Sequence, residues 1–298
     1  MGLIASILFA LSYFAGVDDF TLSTTPNRAS KIKLTTETYS RLSVVIPAYN
    51  EELYISSTLV RVLNAFQDGC QVIVCDDAST DLTIYNAETV IEPPFLLLKR
   101  NQNGGKTAAV LSALTEATGE FVVIQDADLE YDPADIPRLL NVAMERGGVV
   151  YGRRPSLWHR PSRWVLAGGV LLVDLWLLVV YRRWVRDHAT CYKLMPTQLM
   201  RDLDLQSSGF EGCVEITAKL MRMGVSIHQV PISYQPRSAK EGKKLTWRYG
   251  WTALQAVWRW RKWMPPPAET DRQAVAAREA ADDVNDSRSK TIPERLRL

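Results

Sequence analysis

Histidine and cysteine are scarce in this chain, with three and four residues among 298. His159, His188 and His228 are too scattered to form a metal or nucleophile constellation, and each reads as structural. Cys70, Cys75, Cys191 and Cys213 lack metal-ligand spacing and suit small buried thiols in a reducing compartment better than a disulfide framework. Internal repeats are absent. An excess of charge is absent too: the net value is +2, which by itself excludes no class of partner. Basic residues do gather near a C-terminal aromatic stretch, but they are too local, and acidic segments too many, for a nucleic-acid binder. Long apolar runs are few. Residues 3 to 15 fall short of the roughly 20 residues a spanning helix needs. No basic residue precedes them, as a signal peptide requires; a membrane-touching anchor and a wrongly assigned start both stay open.

What is present is an ordinary globular balance, 47% hydrophobic and 23% charged. It is long enough for one large α/β domain with appendages, or two small domains. Residues 18 to 40 are polar and read as a linker. From Arg41 the pattern becomes regular. Leu42–Ile46, Gln71–Cys75, Phe95–Leu98 and Phe121–Ile124 are short apolar runs, separated by helix-like segments at about Glu51–Phe66, Leu82–Val90 and Lys106–Thr118. Continuous rather than alternating apolar strands imply a mainly parallel sheet with helices on both faces. Such sheets bind ligands beyond the carboxyl ends of their strands. Three of the runs end there in polar residues: Pro47-Ala-Tyr-Asn-Glu-Glu52, Asp76-Asp77-Ala-Ser-Thr-Asp81 and Asp126-Ala-Asp-Leu-Glu130. One polar strand end serves as a helix cap; three on one edge favour a site.

The third of these ends carries the most chemistry. In an extended chain Asp126, Asp128 and Glu130 share one side. Three crowded carboxylates resist desolvation unless a positive charge sits among them. A hard divalent cation, Mg²⁺ or Mn²⁺, takes oxygen ligands and leaves positions for substrate phosphates. The competing reading is a solvated acidic turn capping the next helix, with Asp132-Pro133 as its start. The loop Asn101-Gln-Asn-Gly-Gly-Lys-Thr107 resembles a phosphate cradle but lacks the spacing of a P-loop. It reads either as a turn at a helix N-terminus or as a means of setting Lys106 near an anionic ligand.

Together, Val45-Ile-Pro-Ala-Tyr-Asn-Glu-Glu52, Val74-Cys-Asp-Asp-Ala-Ser-Thr-Asp81, Asn103-Gly-Gly-Lys106 and Asp126-Ala-Asp128 resemble the successive motifs of family 2 inverting glycosyltransferases. Asp187-His-Ala-Thr-Cys-Tyr-Lys193, Phe210-Glu-Gly-Cys-Val-Glu215, Val230-Pro-Ile-Ser-Tyr-Gln-Pro-Arg-Ser238 and Glu241-Gly-Lys-Lys244 are similar to the polyprenyl-phosphate branch, typified by dolichyl-phosphate mannosyltransferase. The resemblance spans about residues 42 to 250. It implies a GT-A fold, a Rossmann-like, mainly parallel sheet that binds a nucleotide-diphospho-sugar. By position it implies that Pro47, Tyr49, Glu51 and Asp76 line the nucleotide pocket. Asp126 and Asp128 hold metal and diphosphate, with Glu130 where mannosyltransferases often have a metal-facing Gln. Arg154 approaches the phosphates, Arg153 being the competing assignment. Arg237 and Lys244 belong to a mobile loop that closes over the donor. Ala78 replaces the usual Gly of Asp-Asp-Gly-Ser, and Gly169 falls where relatives often carry Asn, which leaves the acceptor-side contacts open.

The implied reaction moves a hexose from a GDP- or UDP-sugar to a polyprenyl phosphate at the cytoplasmic face of a membrane. A lipid phosphate is already ionised and needs no strong base. A sugar-hydroxyl acceptor needs a carboxylate such as Asp187, for which a positioning role is the preferred reading. An inactive nucleotide-sugar-binding protein is the remaining alternative.

The resulting layout is an apolar N-terminal segment and linker over 1–40, a catalytic domain over 41–244, an amphipathic interfacial helix over 245–264 and a disordered charged tail over 265–298. Within the domain, residues 160–186 form an apolar membrane-proximal segment. Its core, Trp164 to Tyr181, is nearly all apolar apart from Asp174. Spanning there would divide the expected site between two sides of a bilayer and bury Asp174 at a cost of ~2.5–3.5 kcal/mol. One or two helices lying on the domain or dipping into the interface are expected instead, with an ordinary core helix equally open. At 100° per residue Trp247, Trp251, Leu254 and Trp258 fall in one arc, flanked by Arg248, Arg259 and Lys262, as an interfacial helix requires.

Overall fold

The computed structural model of the protein describes residues 38, 40–66, 69–90, 95–155, 164–237 and 247–266. Expectations for residues 3 to 15, for Lys244 and for the tail beyond 266 lie outside the described residues. Of two units, Met1–Trp263 contains every element named below, and Met264–Leu298 is described only over residues 264–266.

The four apolar runs form β1 (Leu42–Ala48), β2 (Gln71–Asp76), β3 (Leu96–Lys99) and β4 (Phe121–Ile124). The segments between them form α1 (Ile55–Phe66), α2 (Thr83–Glu88) and α3 (Lys106–Thr115). Every residue of β1 is buried, which is why its sequence shows no polar alternation. α1 buries Ile55, Leu59, Val62, Leu63 and Phe66, one apolar face at helical spacing. The second half adds α4 (Ile136–Arg146), β5 (Val149–Arg153), α5 (Trp164–Tyr181), β6 (Lys193–Pro196), α6 (Thr197–Asp202), α7 (Gly212–Arg222), β7 (Ile227–Pro231) and α8 (Trp247–Arg259).

All seven strands join one sheet in the order β3-β2-β1-β4-β6-β5-β7. β6 runs antiparallel to β4 and β5, and the other neighbouring pairs are parallel. Because β1, β2 and β4 are parallel neighbours, the polar segments that follow them emerge at one edge. β6 contains the buried Lys193 and ends on Pro196, so it carries no continuous apolar signature.

α5 is a single helix lying on the domain. Its inward side buries Val173, Asp174 and Leu177, while Leu172 and Val179 are exposed. It pairs with α8: Tyr181 Oη donates to Val257 O at 2.8 Å, and the Trp176 and Trp258 rings stack with centroids 6.2 Å apart. α8 turns Ala256 and Val257 inward and leaves Trp251 and Trp258 exposed, on the arc expected for them. Leu254 on that arc is partly buried, and the side chain of Trp247 is not described. Among the described residues no helix is long and apolar enough to cross a membrane.

A buried ion pair holds the end of α8. Lys219 Nζ lies 2.7 Å from Glu215 Oε1, and both side chains are wholly inaccessible. The ammonium donates to Leu203 O and Asp204 O and sits 4.3 Å from the Trp260 ring centre and 4.9 Å from that of Trp263. Glu215 in turn accepts from Gln206 N and Ser207 N. Lys219→Met leaves that carboxylate charged and uncompensated, so unfolding in urea is expected at a stability lower by about 3–5 kcal/mol.

Candidate active site

The loops after β1 and β2 are stitched together at the sheet edge. Asn50 N donates to Ser79 Oγ at 2.9 Å, Glu51 N to Thr83 Oγ1 at 2.8 Å and Thr80 N to Asn50 Oδ1 at 2.8 Å. Ala78, where the resemblance leads one to expect Gly, adopts φ 60°, the left-handed conformation that favours glycine. These bonds tie the ends of β1 and β2 together, with Pro47, Glu51 and Asp76 buried and Tyr49 partly buried. Asp76 Oδ2 accepts from Ser79 N at 3.0 Å. Its Oδ1 is buried with no protein partner, an acceptor left over for something else.

The glycine loop before α3 is not an open phosphate cradle. Gly104 N and Gly105 N donate to the Asp77 carboxylate at 3.0 and 2.7 Å, and Arg100 pairs with the same group. Thr107 N donates to Ser208 O at 2.8 Å. Gly105 has φ 88°, and a Cβ there would stand 2.7 Å from Ser208 O. A Cβ on Gly212 would fall 2.0 Å from Thr107 Oγ1, so the Phe210-Glu-Gly212 segment can close on α3 only through glycine. The anion near Lys106 is the chain's own: its ammonium is ion-paired with Asp126. Burial opposes the charged form of Asp126, but Lys106 outweighs it and holds the carboxyl below its ordinary range.

Asp126, Asp128 and Glu130, expected to share a cation, are engaged separately. Asp128 Oδ2 accepts from Arg237 Nη2 at 2.7 Å, and its Oδ1 accepts from Glu130 N at 3.0 Å. Arg237 Nη1 also donates to Glu51 Oε2 at 2.9 Å, so one guanidinium bridges the ends of β1 and β4. Glu130 accepts from Tyr234 Oη at 2.6 Å and from Arg237 N at 2.7 Å. It therefore docks the segment after β7. Among the described residues no trio of His, Cys, Asp or Glu is set to hold a metal ion. The edge nonetheless carries more negative charge than Arg237 offsets. Burial, then the charges of Asp126 and Glu130, push the Asp128 carboxyl up to about 7 against the pull of Arg237. Oxygen donors crowded in this way suit a hard cation at Asp128.

Arg154, at the end of β5, reaches the same region. Its backbone N donates to Asp187 Oδ2 at 3.0 Å, Nε to Oδ2 at 2.9 Å and Nη2 to Oδ1 at 2.5 Å. The guanidinium also lies 5.0 Å from the centre of the Tyr234 ring. Arg154 is thus the partner of Asp187, whereas Arg153 has no such contact among the bonds described. His188 and Cys191 are buried, in keeping with structural roles, and all four thiols are free.

Several residues of the site escape the motif reading. Tyr234 supports both Glu130 and Arg154, and Tyr131 Oη accepts from Cys191 N at 3.0 Å while its ring meets those of Tyr192 and Tyr234. Tyr54 lies under the Arg237 guanidinium at 5.1 Å. Tyr234 stands inside the Val230–Ser238 motif, so a signal existed, although nothing in its type distinguishes it from a core aromatic.

Residues 43–179 match the family model described as Glycosyl transferase family 2. The dolichol-phosphate mannosyltransferase of Pyrococcus furiosus is 26% identical over 233 residues, covering 75% of this chain and 64% of that protein. The undecaprenyl-phosphate 4-deoxy-4-formamido-L-arabinose transferase of Aeromonas hydrophila is 34% identical over 167 residues, covering 50% of this chain and 51% of that protein. The chain therefore spans between about half and just under two thirds of the length of these curated relatives. Among solved structures, glucosyl-3-phosphoglycerate synthase from Mycobacterium tuberculosis, in complex with Mn²⁺, UDP-glucose and phosphoglyceric acid, superimposes with a TM-score of 0.60 at 20% identity, over 78% of this chain and 84% of that one. That likeness establishes the GT-A architecture. Residues 43–179 thus resemble glycosyl transferase family 2, and the chain aligns with dolichol- and undecaprenyl-phosphate transferases.

Proposed function

We propose that the protein is a metal-dependent inverting glycosyltransferase that moves a hexose from a nucleotide-diphospho-sugar to a polyprenyl phosphate, working at the cytoplasmic face of a membrane. The observation that carries this reading is the meeting of Asp128, Glu51 and Arg237 beyond the carboxyl ends of the strands, with Arg154 linked to them through Tyr234 and Glu130, and the spare Asp76 oxygen on the neighbouring strand. Asp76 Oδ1 accepts a hydrogen bond from the donor's nucleoside. Asp128, with Asp126 beside it, would hold Mg²⁺ or Mn²⁺. When bound, the cation neutralises the charge that develops on the departing diphosphate. Arg237 and Arg154 stabilise the same charge as fixed dipoles and cations in a partly dry site.

Asp187 aims both oxygens at Arg154, so it orients a cation rather than waiting for a substrate proton. That favours an acceptor that arrives ionised, a lipid phosphate, over a sugar hydroxyl. The names of the aligned relatives point the same way. The exposed Trp251, Trp258, Leu172 and Val179 on α5 and α8, with Arg259 and Arg261 beside them, suit contact with an anionic bilayer.

A panel of GDP- and UDP-hexoses with polyprenyl phosphate and Mg²⁺ or Mn²⁺ is expected to yield labelled lipid from one donor. Asp128→Ala and chelator should each lower the rate by about 100-fold or more. Transfer to an oligosaccharide but never to lipid phosphate would replace the acceptor. Transfer untouched by chelator would remove the metal.

The raised Asp128 carboxyl has a consequence for stability. The folded protein holds this proton more tightly than the unfolded chain, whose carboxyl titrates near ~3.9. Its contribution therefore favours folding in acid and fades as pH rises through about 7. Melting in chelator from pH 5 to 8 should show wild type losing stability relative to Asp128→Asn as pH rises.

In sedimentation with vesicles, the full chain is expected to pellet with anionic lipid and to be released by salt together with detergent. Trp251→Ser with Trp258→Ser should weaken pelleting several-fold. Equal binding to neutral and anionic vesicles, or none to either, would defeat the membrane assignment.

A further inference from the structure

Asp187 has φ 61°, the left-handed region that a non-glycine residue enters at a cost of about 1–2 kcal/mol. Its backbone therefore needs support if its carboxylate is to stay on Arg154. That support comes from α5. Asp174 is the one charged residue in this 18-residue helix and is 3% exposed. Its Oδ2 accepts from Asp187 N at 2.9 Å, and its Oδ1 accepts from His188 N at 3.1 Å and faces His188 Nδ1 at 2.6 Å. Two successive amides thus converge on one carboxylate, as in backbone concavities that bind anions.

The opposite side of the turn is held by an opposite charge. Lys193 is 1% exposed, and its Nζ donates to His188 O at 2.7 Å and to Thr190 O. The ammonium also lies 4.8 Å from the centre of the Tyr151 ring. Asp187 O closes the turn by accepting from Thr190 N at 3.1 Å. A carboxylate on its amides and an ammonium on its carbonyls fix this four-residue segment between α5 and β6. Burying both charges is costly, and the backbone they serve is that of Asp187 and its immediate successors.

We propose that Asp174 is a positioning residue for the Arg154–Asp187 pair, acting through the Asp187 backbone, with Lys193 bracing the same turn from its carbonyl side. As a catalytic statement this rests on the glycosyl-transfer reading above; as a statement about geometry it does not. The chain of contacts runs from α5 through Asp174 to the Asp187 amide, then through the Asp187 carboxylate to Arg154. A bland core network would stabilise the fold without setting where Arg154 points.

Two measurements on the full-length protein decide between these. With arginine-selective ¹⁵N labelling, the Nε–H signal of Arg154, assigned by its loss in Arg154→Lys, reports the bond to Asp187 without any substrate. In Asp174→Asn that signal is expected to shift and to exchange with solvent at least tenfold faster. Lys193→Met, which frees the turn from the other side, should produce the same change and serves if the first variant does not fold. In transfer assays Asp174→Asn is expected to lower kcat about tenfold or more with donor KM changed less than threefold. The double variant with Asp187→Asn should be no slower than Asp187→Asn alone, within about twofold. An unmoved Arg154 signal in a folded variant, or losses that multiply in the double variant, would overturn the inference. If wild type transferred no sugar the functional reading would fall, and the Arg154 signal would still decide the positioning claim.

Discussion

Negative charge at the carboxyl ends of β1, β2 and β4 has to be balanced before the sheet can close, and this requirement organises everything around it. Glu51, Asp76, Asp77, Asp126 and Asp128 all emerge at one edge of the sheet because their strands are parallel neighbours. The chain meets the cost piecemeal. Asp77 takes two amides of the glycine loop and Arg100, Asp126 takes Lys106, and Glu51 with Asp128 takes Arg237. What is left over is the Asp76 oxygen with no partner and an Asp128 carboxyl still pushed towards neutrality. Those residues of imbalance are where a ligand has something to gain.

The second half of the chain supplies the cations and the means of holding them. Arg154 arrives on β5 and is fixed by Asp187, which is itself fixed from α5. Arg237 arrives after β7 on a segment docked by Glu130 and Tyr234. The antiparallel β6 is what makes this possible, because it joins the β3-β2-β1-β4 half of the sheet to β5 and β7. At the rear, the buried Lys219–Glu215 pair ties the last helix to the domain and leaves its tryptophans outward.

Much of this was legible in the sequence, and the limits have physical causes. β1, β2 and β4 announce themselves because strands buried on both faces must be continuously apolar, whereas the edge strand β3 is apolar but partly exposed. β6 does not, because Lys193 is buried in it and satisfied by carbonyls that only the fold brings near. Of the residues that the motif series singled out, Glu51, Asp128 and Arg237 meet in one cluster, while Asp126 pairs with Lys106 and Arg154 with Asp187. Sequence could list the carboxylates but not apportion the cations among them. Thus Lys106 answers Asp126, and Glu130 answers a backbone amide and a phenol. Asp174 was visible as an oddity in an apolar helix, but its partners lie 13 and 14 positions away across a turn.

The bridge that Arg237 makes from Glu51 to Asp128 has a thermodynamic corollary. A guanidinium tethered at the site is an intramolecular competitor, present at high effective concentration for any cation that Asp128 is to bind. Whatever draws Arg237 off towards a diphosphate removes that competitor and tightens the hold on the cation. By reciprocity of linkage, a seated cation that releases Arg237 tightens the hold on the diphosphate by the same factor. On the proposed reading, metal and donor would reinforce one another through this side chain, in addition to any direct contact between them.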